Sequence, residues 1–288
     1  MAGYPEKVFL NGKILAHSEA KISVFDRGFL FGDGIYEVML QINGNFFFGA
    51  QHLKRLDECL KKINIEYDTF NLPESIGKLL EISGLDKKDC LLYIQITRGT
   101  APRKHSFPKN IAPTVFMYAL PFILPEINDK PISVITQKDF RWHRCDIKMT
   151  SLLGNVMAND TAIKSGHYET VFYRNGNVTE ASHSNIFFVQ GETVFTHPAD
   201  EKILNGITRE IVIQLCKDNG IPIHEKAIAH EDISKMDEAF LTGTSTQIAS
   251  IKQIDQHQYF KGSTPGNITQ KLQKLFLDLK QNYAPEVN

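Results

Sequence analysis

Long apolar runs are missing from this chain of 288 residues. No stretch reaches the length of a membrane span, and the opening Met1-Ala2-Gly3-Tyr4-Pro5-Glu6-Lys7 has no apolar core of a secretory signal. Cysteine is scarce too. Cys59, Cys90, Cys145 and Cys216 stand far apart with no CxxC pair, which excludes a dense disulfide scaffold and a paired-thiolate zinc site. Reduced thiols and a cytoplasmic location are the expectation. An excess of one charge is also lacking. The 32 basic and 33 acidic residues leave a formal net charge of -1, so the basic footprint of a nucleic-acid binder is absent. Three phosphate, metal or nucleophile signatures are missing as well: GxxxxGK[ST], HExxH and GxSxG. Phe31-Gly32-Asp33-Gly34 is glycine-rich, but it lacks the third glycine of a dinucleotide fingerprint and reads by itself as a turn.

What is present is a patterned, globular chain. Its length suits one large or two medium domains, enough to shield a reaction from water. Asn-Gly pairs recur between short apolar runs at Asn11-Gly12, Asn43-Gly44 and Asn175-Gly176, each a hairpin signal. Repeated hairpins argue for antiparallel sheet and against alternating βαβ units. Helical spacing of apolar residues predicts helices over residues 52–63, 72–83, 151–165, 207–218 and 268–279. Pro121, Pro125 and Pro131 punctuate a stretch that runs into Asn128-Asp129-Lys130. The expected organisation is therefore an α+β fold of two domains with antiparallel-rich sheets. Residues 1–121 form the N-terminal domain, 122–126 the linker and 127–288 the C-terminal domain.

Several polar clusters stand out, and each has an ordinary explanation when taken alone. Arg141-Trp142-His143-Arg144-Cys145-Asp146-Ile147-Lys148 crowds charge around the only tryptophan. A lone lysine is usually a solvated surface group, but apolar neighbours and nearby cations would favour the neutral amine that covalent chemistry needs. Thr179-Glu180-Ala181-Ser182-His183-Ser184-Asn185 sets one carboxylate among hydroxyls, as a hydrogen-bonded turn also does. Leu204-Asn205-Gly206-Ile207-Thr208-Arg209 opens a helix, where backbone N–H groups bind anions. Thr242-Gly243-Thr244-Ser245-Thr246 is a second small-residue loop. Thr97-Arg98-Gly99-Thr100-Ala101-Pro102-Arg103-Lys104-His105 brings an arginine, a reader of carboxylates, within two residues of a histidine.

Taken in order, these segments resemble the D-amino-acid aminotransferase group of the branched-chain aminotransferase-like, fold-type IV pyridoxal-phosphate enzymes. Asp26-Arg27-Gly28, Phe31–Val38 and Lys235-Met236-Asp237-Glu238 extend the match across nearly the whole chain. The resemblance implies pyridoxal 5'-phosphate as cofactor, held by Lys148, whose amine also moves the substrate proton. It implies Glu180 as partner of the pyridine nitrogen and Leu204 against the ring face. The phosphate would fall to Arg55, the N–H groups of Ile207 and Thr208, and Thr244. Tyr36, Arg103 and His105 would take the substrate carboxylate, the Arg-x-His pair reaching across a homodimer interface. The implied partners are small amino acids and 2-oxo acids, typified by D-alanine plus 2-oxoglutarate giving pyruvate plus D-glutamate, with no nucleic acid and no membrane. Aminodeoxychorismate lyases and L-branched-chain aminotransferases share the cofactor residues but generally lack the Arg-x-His pair. Two positions depart from the group's pattern: His183 and Gly243 each stand where a serine is usual.

Overall fold

The computed structural model describes residues 3–127 and 131–283. Asn128, Asp129 and Lys130, which follow the expected linker 122–126, lie outside the described residues. The chain divides into two compact units between Ile123 and Leu124, and the segment Ile147–Ser151 groups with the first unit. Lys148 was expected with the C-terminal part; its contacts put it with the first unit instead.

The first unit is built on β1 (Lys7–Leu10), β2 (Lys13–Ala16), α1 (Arg27–Phe31), β3 (Gly34–Ile42), β4 (Asn45–Phe46), α2 (Gly49–Lys62), α3 (Leu72–Ile82), β5 (Cys90–Thr97) and β6 (Thr114–Pro121). Its six strands run in the order β2-β1-β6-β5-β3-β4, every neighbour antiparallel. The hairpin turns carry Asn11 at φ 49° with Gly12 at 86°, and Asn43 at 50° with Gly44 at 78°. Two successive left-handed residues match the strand twist, which is why Asn-Gly suits a two-residue hairpin. One sheet face packs Ile35, Met39, Leu92, Ile94 and Ile96 against Leu56, Cys59 and Leu60 of α2 and Leu72, Ile76 and Leu79 of α3. Helix α2 buries one stripe because its apolar residues recur every three to four positions. The alternate strand positions stack Tyr36, Tyr93 and Tyr118, with ring centroids 5.7 and 5.0 Å apart.

The second unit holds β7 (Ile132–Lys138), α4 (Leu153–Lys164), β8 (Glu169–Arg174), β9 (Asn177–Ala181), β10 (Asn185–Gln190), β11 (Thr193–Thr196), α5 (Ile207–Asp218), β12 (Ile223–Glu225), a 3-10 turn (His230–Lys235), β13 (Glu238–Gly243), β14 (Gln247–Ile254), β15 (His257–Gln258) and α6 (Asn267–Gln281). The strands order as β12-β11-β10-β13-β14-β7-β8-β9, with β15 beside β14. Antiparallel pairs dominate, but β7 is parallel to both β14 and β8, and β11 to β12. The β7-α4-β8 run is thus a βαβ unit, which the hairpin pattern did not anticipate. Stacked Phe187 and Phe240, 5.0 Å apart, and the apolar residues of β8, β10, β13 and β14 fill the interior. Among the described residues no helix is long and apolar enough to cross a membrane.

Candidate active site

Lys148 is placed by backbone pairing. Tyr36 N–H donates to Lys148 O at 2.9 Å, Thr150 N–H donates to Gly34 O at 3.0 Å, and Ile35 and Met149 form an isolated bridge. The segment thus pairs antiparallel beside the start of β3. Gly32, at φ 66°, makes the turn into that strand, and a β-carbon there would run into Ser151. The Lys148 N–H donates to Cys59 Sγ at 3.4 Å. Its Nζ lies 4.3 Å from the centroid of the Tyr36 ring, within cation–π range.

Beneath Tyr36, on the core face of β3, Glu37 is fully buried. Arg55 grips it with a two-pronged bond, Nε to Oε2 at 2.9 Å and Nη2 to Oε1 at 2.7 Å. His52 Nδ1 lies 3.0 Å from Oε1. Burial pushes the Glu37 carboxyl up, but Arg55 and His52 outweigh it and hold the acid well below its usual range. Burial holds His52 down despite Glu37, so a neutral ring donating from Nδ1 satisfies the carboxylate. Arg55, implied as a phosphate ligand, is thereby anchored to β3.

Arg103 and His105 are exposed, and their described contacts are with Phe31. Arg103 Cζ lies 4.9 Å from the Phe31 centroid and the His105 ring 5.8 Å from it. The loop is pinned between the two residues and just beyond them. Arg27 Nη1 donates to Lys104 O at 2.7 Å, and Phe107 covers Arg98 at 3.6 Å. Arg27 and Arg98 in turn share Asp33, at 2.7 and 2.8 Å. Tyr36 contacts Lys148 and Tyr93 instead.

Glu180, Leu204, Ile207, Thr208 and Thr244 belong to the second unit. Glu180 is buried on β9. Its Oε1 accepts from Arg141 Nη1 at 2.8 Å and its Oε2 from the Leu204 N–H at 2.9 Å. Asn185 Nδ2 reaches the same Oε2 at 3.4 Å and Leu204 O at 2.8 Å, so one amide ties the acid to the 204–206 loop. Burial pushes Glu180 up to about 7, although Arg141 and the Leu204 N–H pull against it. Helix α5 begins at Ile207, and its N-cap Gly206 offers no side-chain acceptor. Its first N–H groups, at Ile207 and Thr208, are oriented as an anion site requires. Arg209 braces this end, donating to Asn205 Oδ1 at 2.8 Å, His197 O at 2.7 Å and Glu225 Oε2 at 2.7 Å. Thr244 sits in the turn between β13 and β14. A β-carbon on Gly243 would stand 3.3 Å from Thr246 and 3.5 Å from Ser184 Oγ.

His183 is half-exposed. Its N–H donates to Glu169 Oε1 at 2.5 Å, its Nδ1 lies 3.4 Å from Glu169 Oε2, and Ser184 Oγ is 3.3 Å from the same nitrogen. Motif reading assigned no role to Arg141, Asn185, Glu37, His52 or Phe31. The signal for Glu37 was an acid in the middle of an apolar strand; for Arg141 it was a second charge within the lysine segment.

Each unit supplies groups whose chemistry suits a phosphorylated pyridine aldehyde: the first a primary amine over an aromatic face, the second a buried acid near neutrality and a helix start with no side-chain cap. Comparison with known proteins agrees. The family described as Amino-transferase class IV matches residues 34–254. The D-alanine aminotransferase of Bacillus licheniformis is 37% identical over 270 residues, covering 93% of this chain and 94% of that one. The D-alanine aminotransferase of Staphylococcus haemolyticus is 35% identical over 274 residues, covering 94% and 96%. Among solved structures, a branched-chain aminotransferase of Thermoproteus uzoniensis aligns with a TM-score of 0.84 at 27% identity, covering 95% of this chain and 94% of that one. The branched-chain enzyme of Escherichia coli, at 22% identity and a TM-score of 0.86 over 96% and 94%, shares the fold. With the motifs in order and relatives that span nearly its whole length, the chain belongs to the class IV aminotransferases.

Proposed function

We propose that this protein is a pyridoxal-phosphate-dependent D-amino-acid aminotransferase, moving the amino group of D-alanine to 2-oxoglutarate to give pyruvate and D-glutamate. The observation that carries this reading is the likeness to D-alanine aminotransferases along nearly the entire chain, with Arg103 and His105 in place. The bound cofactor supplies an electron sink for the pair left on the substrate α-carbon when its proton departs. Lys148 holds the cofactor and carries that proton, its amine serving in turn as base and acid. Glu180 holds a proton at the ring nitrogen. The α5 N-terminus with Thr244 and Arg55 binds the phosphate, and Leu204 borders the ring. Tyr36, Arg103 and His105 bind the substrate carboxylate, which orients the α-hydrogen for one face only. We take the working form to be a cytoplasmic homodimer in which the Arg103–His105 loop serves the neighbouring copy. Residues 1–121 and 127–288 are read as its domains, joined through 122–126.

The test is direct. Purified protein given D-alanine and 2-oxoglutarate should produce pyruvate, and Lys148→Ala should abolish both the turnover and the visible absorption of the bound cofactor. Absence of pyruvate would overturn the reading. Turnover of L-leucine in its place would favour the L-branched-chain alternative, to which the 27% identical archaeal structure lends support. Release of 4-aminobenzoate from aminodeoxychorismate would favour the lyase.

A further inference from the structure

Glu180 is one member of a closed, buried set of four charges. Arg141 donates one nitrogen to it and turns the others away, Nε to Asp139 Oδ1 at 3.1 Å and Nη2 to Asp139 Oδ2 at 3.0 Å. Asp139 is shared with Arg174, whose Nη2 lies 3.0 Å from Oδ2. The same Nη2 donates to the backbone oxygens of Arg141 and Trp142, at 3.1 Å each, which fixes the chain that presents Arg141. The Arg141 guanidinium also lies 4.2 Å from the centroid of Phe172. All four side chains are nearly sealed, at 6% exposure for Arg141 and Arg174, 0% for Asp139 and 7% for Glu180. Two carboxylates and two guanidiniums cancel.

That balance has a consequence for Glu180. Burial favours its neutral form, and the acid stands close to neutrality even with a guanidinium 2.8 Å away. Asp139 works the other way, since its negative charge raises Glu180 while it claims two of the nitrogens of Arg141. A further titratable neighbour is Cys145, whose thiol burial pushes up to about 11, so it brings no charge near neutral pH. The ionisation of Glu180 therefore depends on Arg141 alone among the cations bonded to it.

We propose that Arg141 is a positioning residue for the reaction: bridged between Asp139 and Glu180, it favours the ionised form of the Glu180 carboxylate and holds it in one orientation, ready to hold the ring-nitrogen proton of the cofactor. This rests on the role given to Glu180 above. A planar fork can bond two carboxylates at once, whereas an ammonium acts as a point charge. Lysine at this position would keep the charge and lose the bridge.

The experiment uses holoenzyme carrying 13C-carboxyl glutamate, with the Glu180 resonance assigned as the one absent from Glu180→Gln. Arg141→Gln should raise its titration midpoint by about one pH unit or more, and weaken cofactor retention in equilibrium dialysis by about tenfold. Arg141→Lys should recover most of the midpoint shift. Arg141→Met, which keeps the packing on Phe172, serves if the glutamine variant does not fold. A midpoint unchanged in the charge-free variants overturns the proposal. A wild-type protein that retains no cofactor fails earlier and removes the role of Glu180 instead.

Discussion

Glu37 and Glu180 are two buried glutamates, one in each unit, each facing an arginine, and their acidities diverge. Glu37 receives the two-pronged grip of Arg55 and a further bond from His52. Glu180 receives one nitrogen of Arg141, whose remaining described bonds go to Asp139. Burial penalises both. In the first case the donors overcome it and the carboxylate stays ionised far into acid; in the second they do not, and the acid stands at about 7. The two carboxylates differ in how they are paired: two arginine nitrogens and a histidine on Glu37, against one arginine nitrogen, the Leu204 N–H and the Asn185 amide on Glu180. Glu37 ties β3 to α2 and behaves as a structural ion. Glu180 stays responsive to whatever binds beside it, as a partner for a ring nitrogen should.

The largest effect is expected where the two-pronged pair is broken. Glu37→Gln removes the buried carboxylate that Arg55 bonds with two nitrogens, which costs about 3–5 kcal/mol. Urea denaturation checks it, and a loss below about 1 kcal/mol, the worth of an exposed pair, would put Glu37 in the same class as surface ions. Glu180→Ala should act on chemistry more than on the fold, lowering kcat by about 10²- to 10³-fold, the scale of losing one fixed electrostatic partner. A variant with near-normal kcat would make Glu180 structural too and dissolve the contrast.

The two acids should also bend the pH dependence of stability in opposite directions. Glu180 is raised in the folded state, so its contribution is complete below its ordinary value of 4.5 and is lost as pH climbs to about 7. Glu37 is lowered, so its contribution is present above the ordinary value and is lost as pH falls through the depressed one. In cofactor-free protein, Glu180→Gln should therefore flatten the decline in stability between about pH 4.5 and 7, by roughly 1–3 kcal/mol. Glu37→Gln should leave that decline intact and remove part of the loss in acid. Denaturation at a series of pH values separates them; equal slopes in wild type and Glu180→Gln would contradict the raised value.

Local order was legible in the sequence because it depends on neighbours along the chain. The Asn-Gly turns at residues 11, 43 and 175 adopt the left-handed pairs their composition demands, and α5 spans the predicted 207–218. Pairing over distance was not. Parallel β7 and β8 enclose α4, whose outward Leu153, Val156 and Met157 blur any apolar stripe. Lys148 lies beside β3 by bonding Tyr36, over a hundred residues earlier, and no periodicity encodes that. The charged pairs show the same limit. Arg55 and Glu37 are 18 residues apart and Arg141 and Glu180 are 39 apart, and only folding reveals that one arginine gives its glutamate two nitrogens and the other one.

Arg103 supplies a third arrangement that sharpens the contrast. Arg55 and Arg141 each hold a carboxylate of the protein itself, whereas the described contact of Arg103 is an aromatic ring, Phe31, at 4.9 Å. A ring orients a guanidinium without neutralising it, so the charge stays available to a carboxylate from outside. His105 rests on the same ring, and Arg27 holds the intervening Lys104 carbonyl, so Phe31 acts as the floor on which the pair is spaced. Removing the ring should cost the exposed cation–π energy of about 0.5–1 kcal/mol, which corresponds to about a two- to fivefold rise in KM for D-alanine. Because the carboxylate is bound equally before and during reaction, kcat should change little. Phe31→Leu keeps most of the bulk and loses the π face, so it should resemble Phe31→Ala in KM while keeping more stability. A leucine variant with wild-type KM would show that the ring serves Arg103 only by volume, and an unchanged alanine variant would mean that Arg103 needs no floor at all.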